Sequence, residues 1–193
     1  KLTNGEVHAT EPSNASRTML FDLKEGKWSN SLCEIFSVPV DSLPEIRATS
    51  GYFGSTSTEG PLGKKVPIRS AIGDQQSSLF GQVCFKPGDT KNTYGTGSFI
   101  LTNTGEETPQ INDGLITTVA WQLNSDSPLT YAVEGSIFST GATVQWLRDQ
   151  LEIIRESSEL EQLAKTCTSN GGVIIVPAFS GLGSPWWNPS ARG

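Results

Sequence analysis

The sequence predicts a mixed α/β fold, and three observations carry that prediction. An uninterrupted apolar run, Val173-Ile174-Ile175-Val176, reads as a strand buried on both faces, which requires a sheet covered by helices. Strand patterns recur at 90–94, 98–103, 115–123 and 130–134, separated by short polar or glycine-rich turns. Two helical patterns follow. One is capped by Ser136 and has apolar positions at Ile137, Val144, Leu147 and Leu151; the other covers 159–167. Antiparallel hairpins feeding a covered sheet define the class.

The first third of the chain reads element by element. Residues 14–23 suggest a strand with an apolar centre at Met19, Leu20 and Phe21, closed by a turn at Lys24-Glu25-Gly26-Lys27. Residues 29–36 suggest a short helix capped by Ser29 and ending before Val38-Pro39. Residues 51–63, rich in Gly, Ser and Thr, carry no periodicity and read as a loop. A strand pattern resumes at 66–72, and a short helix over 75–82 follows Gly73-Asp74. Lys86-Pro87-Gly88-Asp89 is a turn, since proline presets φ and glycine supplies φ > 0. It is the candidate boundary between two domains, 1–84 and 85–193.

Composition narrows the chemistry. With 193 residues, a formal charge of −6 and 18% charged residues, the chain is neither charge-rich enough for disorder nor basic enough for nucleic acid. No apolar run approaches the ~18 residues of a membrane span, and no signal or transit peptide is evident at the start. The single histidine, His8, lies in a polar stretch and reads as a surface residue. The three cysteines, Cys33, Cys84 and Cys167, match no metal-ligand spacing, and their odd count argues for a reducing compartment. Chemistry here must run on carboxylates, hydroxyls, amides and backbone.

Four segments could carry it. In Ile72-Gly73-Asp74-Gln75-Gln76, a carboxylate between strand and helix serves as an N-cap, or faces a cleft and takes a proton from a substrate hydroxyl. Gln75 and Gln76 add amides suited to a polyol. In Tyr94-Gly95-Thr96-Gly97-Ser98, glycines flanking a threonine make either an ordinary hairpin turn or a backbone nest for an anion. No Walker-type loop occurs. Gly141 and Gln145 stack on one helix face, where a glycine marks the close approach of a strand or a nucleotide; Arg148-Asp149 reads as a solvated pair. Trp186-Trp187, after a Gly/Pro loop, reads as a hydrophobic anchor.

Taken in order, the phrases resemble one family. Asn14-Ala15-Ser16-Arg17-Thr18-Met19-Leu20-Phe21, Gly73-Asp74-Gln75-Gln76, Lys91-Asn92-Thr93-Tyr94-Gly95-Thr96-Gly97, Tyr131-Ala132-Val133-Glu134-Gly135, Gln145-Trp146-Leu147-Arg148-Asp149 and the segment 176–183 are similar to the middle of the glycerol kinases of the FGGY carbohydrate kinase family. The resemblance covers nearly the whole chain. It implies an actin/hexokinase-like (ribonuclease H-like) fold, with the end of an N-terminal domain and the start of a C-terminal one. It implies ATP-dependent phosphorylation of glycerol with Mg2+, in a cytoplasmic homo-oligomer.

Roles follow residue by residue from that resemblance. Asp74 matches the catalytic base. Gln75 matches a glycerol-contacting amide and Phe99 the aromatic on the glycerol carbons. Gly95, Thr96 and Gly97 match the phosphate-binding hairpin, and Gly141 and Gln145 match nucleotide contacts. No metal ligand is assigned. Family members are much longer and carry further phosphate, glycerol and adenine segments at both ends, so the resemblance implies that these residues alone would not phosphorylate glycerol. Glu59-Gly60-Pro61-Leu62-Gly63-Lys64-Lys65 stands where bacterial relatives bind fructose 1,6-bisphosphate. Lysine lacks arginine's bidentate fork and Glu59 repels phosphate, which argues against that site here. A kinase for another small polyol or ketose and a non-catalytic module of the same fold remain the alternatives.

Overall fold

The computed structural model describes residues 1–110 and 114–193, and they form two compact units. The first comprises Lys1–Lys91, 101–110 and Ile116–Glu134; the second comprises Asn92–Ile100, 114–115 and Gly135–Gly193.

The first unit begins with β1 (Ala9–Thr10), α1 (Pro12–Ala15), β2 (Phe21–Asp22), β3 (Lys27–Trp28), α2 (Asn30–Ile35) and β4 (Glu45–Ile46). β1 pairs with β4 in parallel, and β2 with β3 in an antiparallel hairpin whose turn contains Gly26 at φ +66°. Ser29 caps α2 by accepting the Leu32 N–H at 3.4 Å, as the sequence suggests. The strand expected over 14–23 is a correction. Glu11 accepts the Ser13 and Asn14 N–H groups and Pro12 presets the first helical φ, so the chain turns helical through Ala15. Met19 then sits at φ +62°, and extended backbone begins only at Phe21.

The expected strand at 66–72 is a second correction. Val66 and Ile68 do bond to the 53–56 segment, but only the Ser55–Pro67 bridge forms. Pro67 has no N–H to extend a ladder. α3 follows at Asp74–Gly81.

β5 (Thr90–Tyr94), β6 (Ser98–Gly105), β7 (Ile116–Trp121) and β8 (Thr130–Ile137) form one sheet in the order β5-β6-β8-β7. β7 and β8 run antiparallel, with Ile116 opposite Glu134 and Val119 opposite Tyr131. Alternation along these strands feeds two apolar clusters of the first unit. Leu79, Leu101, Ala120, Trp121 and Ala132 make one, and Ala15, Phe21, Val119 and Tyr131 the other. α3 buries Leu79 there, which fixes the helix that carries Asp74.

In the second unit lie α4 (Gly141–Asp149) and α5 (Glu159–Thr166). Ser136 and Ile137 stay in β8 instead of starting a helix, because the Ser136 N–H donates to Ser184 Oγ and its carbonyl accepts the Ser184 N–H. Thr140 is therefore the residue before α4, and Gly141 opens the helix instead of interrupting it. Val173–Val176 is the largest correction. These residues form no strand and are 57–83% exposed, since no described segment pairs with them. Trp187 anchors as expected, donating to the Gly114 carbonyl and packing edge-on against Phe138; Trp186 does not, being mostly exposed.

Candidate active site

Asp74 is the first residue of α3, not its cap. Gly73 holds the capping position with extended φ/ψ and no side-chain bond. The Asp74 carboxylate is exposed, and its Oδ1 accepts the Gln75 N–H at 2.8 Å. Its Oδ2 has no hydrogen-bond partner among the described residues. One oxygen thus serves the helix terminus, where a negative charge is favoured, and the other faces outward.

The segment before Asp74 is held by groups far away in the sequence. The Gly73 N–H donates to Ser13 Oγ at 2.9 Å, and the Ser13 hydroxyl donates in turn to Glu11 Oε1. Glu11 is fully buried. It also accepts from the Asn14 N–H and Nδ2 (both 2.7 Å), the Ser13 N–H (2.9 Å) and the Thr49 hydroxyl (3.0 Å). Glu11 therefore orients Ser13 so that a lone pair meets Gly73, one residue before the candidate base. Sequence reading missed this carboxylate; nothing in its local pattern distinguishes it from a surface glutamate.

The two glutamines after Asp74 part company. Gln76 is buried and donates to Thr118 Oγ1 at 3.2 Å, so it is structural and not the polyol amide its position suggested. Gln75 stays half-exposed, with its side-chain carbonyl oxygen accepting from Lys91 Nζ. Lys91, only 4% exposed, is the second residue missed. Burial pushes its ammonium below the usual lysine range, opposed by attraction to Glu134, Asp74 and Cys84. Glu134 is itself buried and paired with Arg17 at 3.0 Å.

In the second unit, Gly95, Thr96 and Gly97 close the β5–β6 hairpin, and the turn is tied to the start of α4 through its carbonyls. Thr140 N–H and Ala142 N–H donate to the Thr96 carbonyl at 2.9 and 3.1 Å, and Gly141 N–H to the Gly95 carbonyl at 3.0 Å. Ser98 and Thr140 hydroxyls also meet, at 2.8 Å. With carbonyls committed to α4, the N–H groups of Thr96 and Gly97 and the exposed Thr96 hydroxyl donate to nothing else among the described residues. These are donors that an anion can use, but none of Gly95, Thr96 and Gly97 has the positive φ of an alternating backbone nest.

Two glycines of this assembly, Gly97 and Gly141, are sterically required. A Cβ on Gly97 would intrude on the Ile137 carbonyl oxygen, and one on Gly141 on that of Gly95. The close approach that Gly141 marks is thus the hairpin itself. Gly141→Ala should therefore lower stability by about 1–3 kcal/mol in urea unfolding, whereas Gly81→Ala, which points into open space, should lose nothing. Gln145 stands one turn along the same face, exposed. Phe99, on β6, is partly exposed, and Arg148 pairs with Asp149 on the surface. Among the described residues no group of three His, Cys, Asp or Glu could hold a metal, and no helix is long and apolar enough to cross a membrane.

Comparison with known proteins gives the class. Residues 1–81 match the N-terminal domain, and residues 90–193 the C-terminal domain, of the FGGY family of carbohydrate kinases. The chain belongs to that family. Over its full length it is 51% identical to a glycerol kinase of Fusobacterium nucleatum, of which it covers 38%, and 51% identical to one of Mycoplasma genitalium, of which it covers 39%. A solved glycerol kinase from Plasmodium falciparum, with ADP, superposes at a TM-score of 0.90 and 42% identity, over 99% of this chain and 38% of that one. A xylulose kinase from Lactobacillus acidophilus (TM-score 0.83, 21% identity, 99% of this chain, 38% of that one) shares the fold. The chain thus spans under two-fifths of the length of the relatives it matches.

Proposed function

We propose that the full polypeptide carrying this chain transfers the γ-phosphoryl group of ATP to glycerol, giving sn-glycerol 3-phosphate and ADP. The observation that carries the reading is the Asp74 carboxylate, exposed at the start of α3 with one oxygen bonded to Gln75 N–H and the other unpartnered among the described residues. A glycerol hydroxyl oxygen forms the new bond to the γ-phosphorus while the bridging P–O bond to ADP breaks. Asp74 accepts the hydroxyl proton. Gln75 and Phe99 contact glycerol. The N–H groups around Gly95, Thr96 and Gly97 hold phosphate oxygens, with Gly141 and Gln145 on the nucleotide side.

Magnesium fits this scheme only as a companion of the nucleotide, because it is commonly held by phosphates with one or two carboxylates and the described residues offer no larger set. When bound it would neutralise phosphate charge; no step above is routed through it. The division at residues 84 and 85 is kept as the proposed domain boundary, supported by the two family matches that leave 82–89 between them. A cytoplasmic homo-oligomer completes the reading.

The likeness to glycerol kinases near 50% identity favours glycerol over ketoses, whose kinases resemble this chain in fold alone. ADP release by the full polypeptide encoded by the gene, with MgATP and either glycerol or xylulose, tests the choice. At least tenfold higher kcat/KM for glycerol is expected; a preference for xylulose, or no turnover of glycerol, overturns it.

A further inference from the structure

The amide of Gln75 is not free to choose its orientation. Lys91 Nζ reaches its side-chain oxygen, and an ammonium has three donors and no acceptor. The amide must therefore turn its carbonyl oxygen to Lys91, which leaves the NH2 group for whatever approaches the half-exposed side chain. Lys91 is itself fixed. It is 4% exposed on β5, sixteen positions along the chain from Gln75, and the buried Glu134 and the exposed Asp74 attract it.

We propose that Lys91 is a positioning residue that locks Gln75 with its NH2 outward, so that the site offers a hydrogen-bond donor to a hydroxyl oxygen of the polyol. The inference rests on the functional reading above and deepens it by assigning a specificity role. A hydroxyl can serve as donor or acceptor; beside an NH2 it must accept. Its own proton is then free to point elsewhere, and a carboxylate such as Asp74 takes only protons. Lys91 thereby fixes a hydroxyl oxygen beside Gln75 as an acceptor and leaves that hydroxyl's proton to be given elsewhere. It touches no substrate and acts through Gln75.

A double-mutant cycle on the full polypeptide tests this. Gln75→Ala and Lys91→Met are each expected to raise the glycerol KM about tenfold or more, with kcat changed less than about threefold, and the pair together to be no more than about twofold worse than Gln75→Ala alone. Lys91→Arg keeps a donor and should hold KM within about threefold of wild type. Lys91→Met raising KM by the same factor in both backgrounds would mean a merely structural lysine and overturns the proposal, as would an unchanged KM. The amide is also read without turnover, by 15N relaxation of the Gln75 side-chain NH2 signal, assigned by its loss in Gln75→Ala. An order parameter falling below about 0.6 in Lys91→Met but not in Lys91→Arg is expected. An unchanged value in Lys91→Met sinks the proposal even if the protein proves inactive on glycerol, whereas inactivity with the expected loss of order sinks only the functional reading. Should Lys91→Met fail to fold, Lys91→Leu, which likewise has no donor, replaces it in both measurements, with the same outcomes deciding.

Discussion

Replacing Asp74 by Asn in the full polypeptide should lower kcat for glycerol phosphorylation at least about a hundredfold while leaving the glycerol KM within a few-fold. The magnitude follows from what a positioned base contributes, typically 10²–10⁴. Asparagine keeps the shape and can still accept the Gln75 N–H through its carbonyl oxygen, so α3 retains its start. It cannot take a proton. The residue is exposed and its loss removes only a favourable charge at a helix N-terminus, on the order of 0.3–1 kcal/mol, so the variant should fold. Steady-state kinetics decide the matter. If more than about a tenth of wild-type turnover survived, the barrier would have risen by less than ~1.4 kcal/mol and Asp74 would not be the base.

The largest loss of stability should come from Glu11→Ala, at a fully buried carboxylate. Its carboxylate serves five donors: the Ser13 N–H and hydroxyl, the Asn14 N–H and Nδ2, and the Thr49 hydroxyl. Alanine leaves several of them buried without an acceptor, at about 1–3 kcal/mol for each group that water or a neighbour does not satisfy. A total of roughly 3 kcal/mol or more is expected, read as a fall in the urea midpoint at unchanged slope. The exposed Glu25, paired with Lys27, provides the contrast; Glu25→Ala should move stability by less than about 0.5 kcal/mol. A Glu11→Ala midpoint close to that of Glu25→Ala would show that the donors find other partners and that Ser13 holds Gly73 unaided.

What the sequence made readable is what depends on neighbours in the chain. Ser29 capping α2, the turn around Gly26, the helix after Gly73 and the hairpin at Gly95–Gly97 each involve partners within a few residues, so local chemistry suffices to find them. Asp74 stands out the same way, as a carboxylate between strand and helix, but spacing alone does not separate a cap from a first-turn residue, and its role as base is what the family resemblance implies. Lys91 and Glu134 were invisible because their partners, Gln75 and Arg17, lie 16 and 117 positions away, and Glu11, although most of its donors are local, because its burial and its bond to Thr49 are not written in its neighbours. Val173–Val176 failed for the opposite reason. An apolar run states that burial would be favourable but not what would cover it, and a strand needs a neighbour to bond. Gly141 lay between the two cases: its small size was legible, and the carbonyl it admits was not.

The attachment of the Gly-Thr-Gly turn to α4 makes the pair one joint. Three N–H groups of the helix start hold two successive carbonyls of the turn, and further along the same helix Trp146 leans on Phe179 with ring centres 5.2 Å apart. The turn and the start of the helix are thereby tied together by three hydrogen bonds. The proposed phosphate-binding turn and the packing of two rings therefore depend on the same short helix.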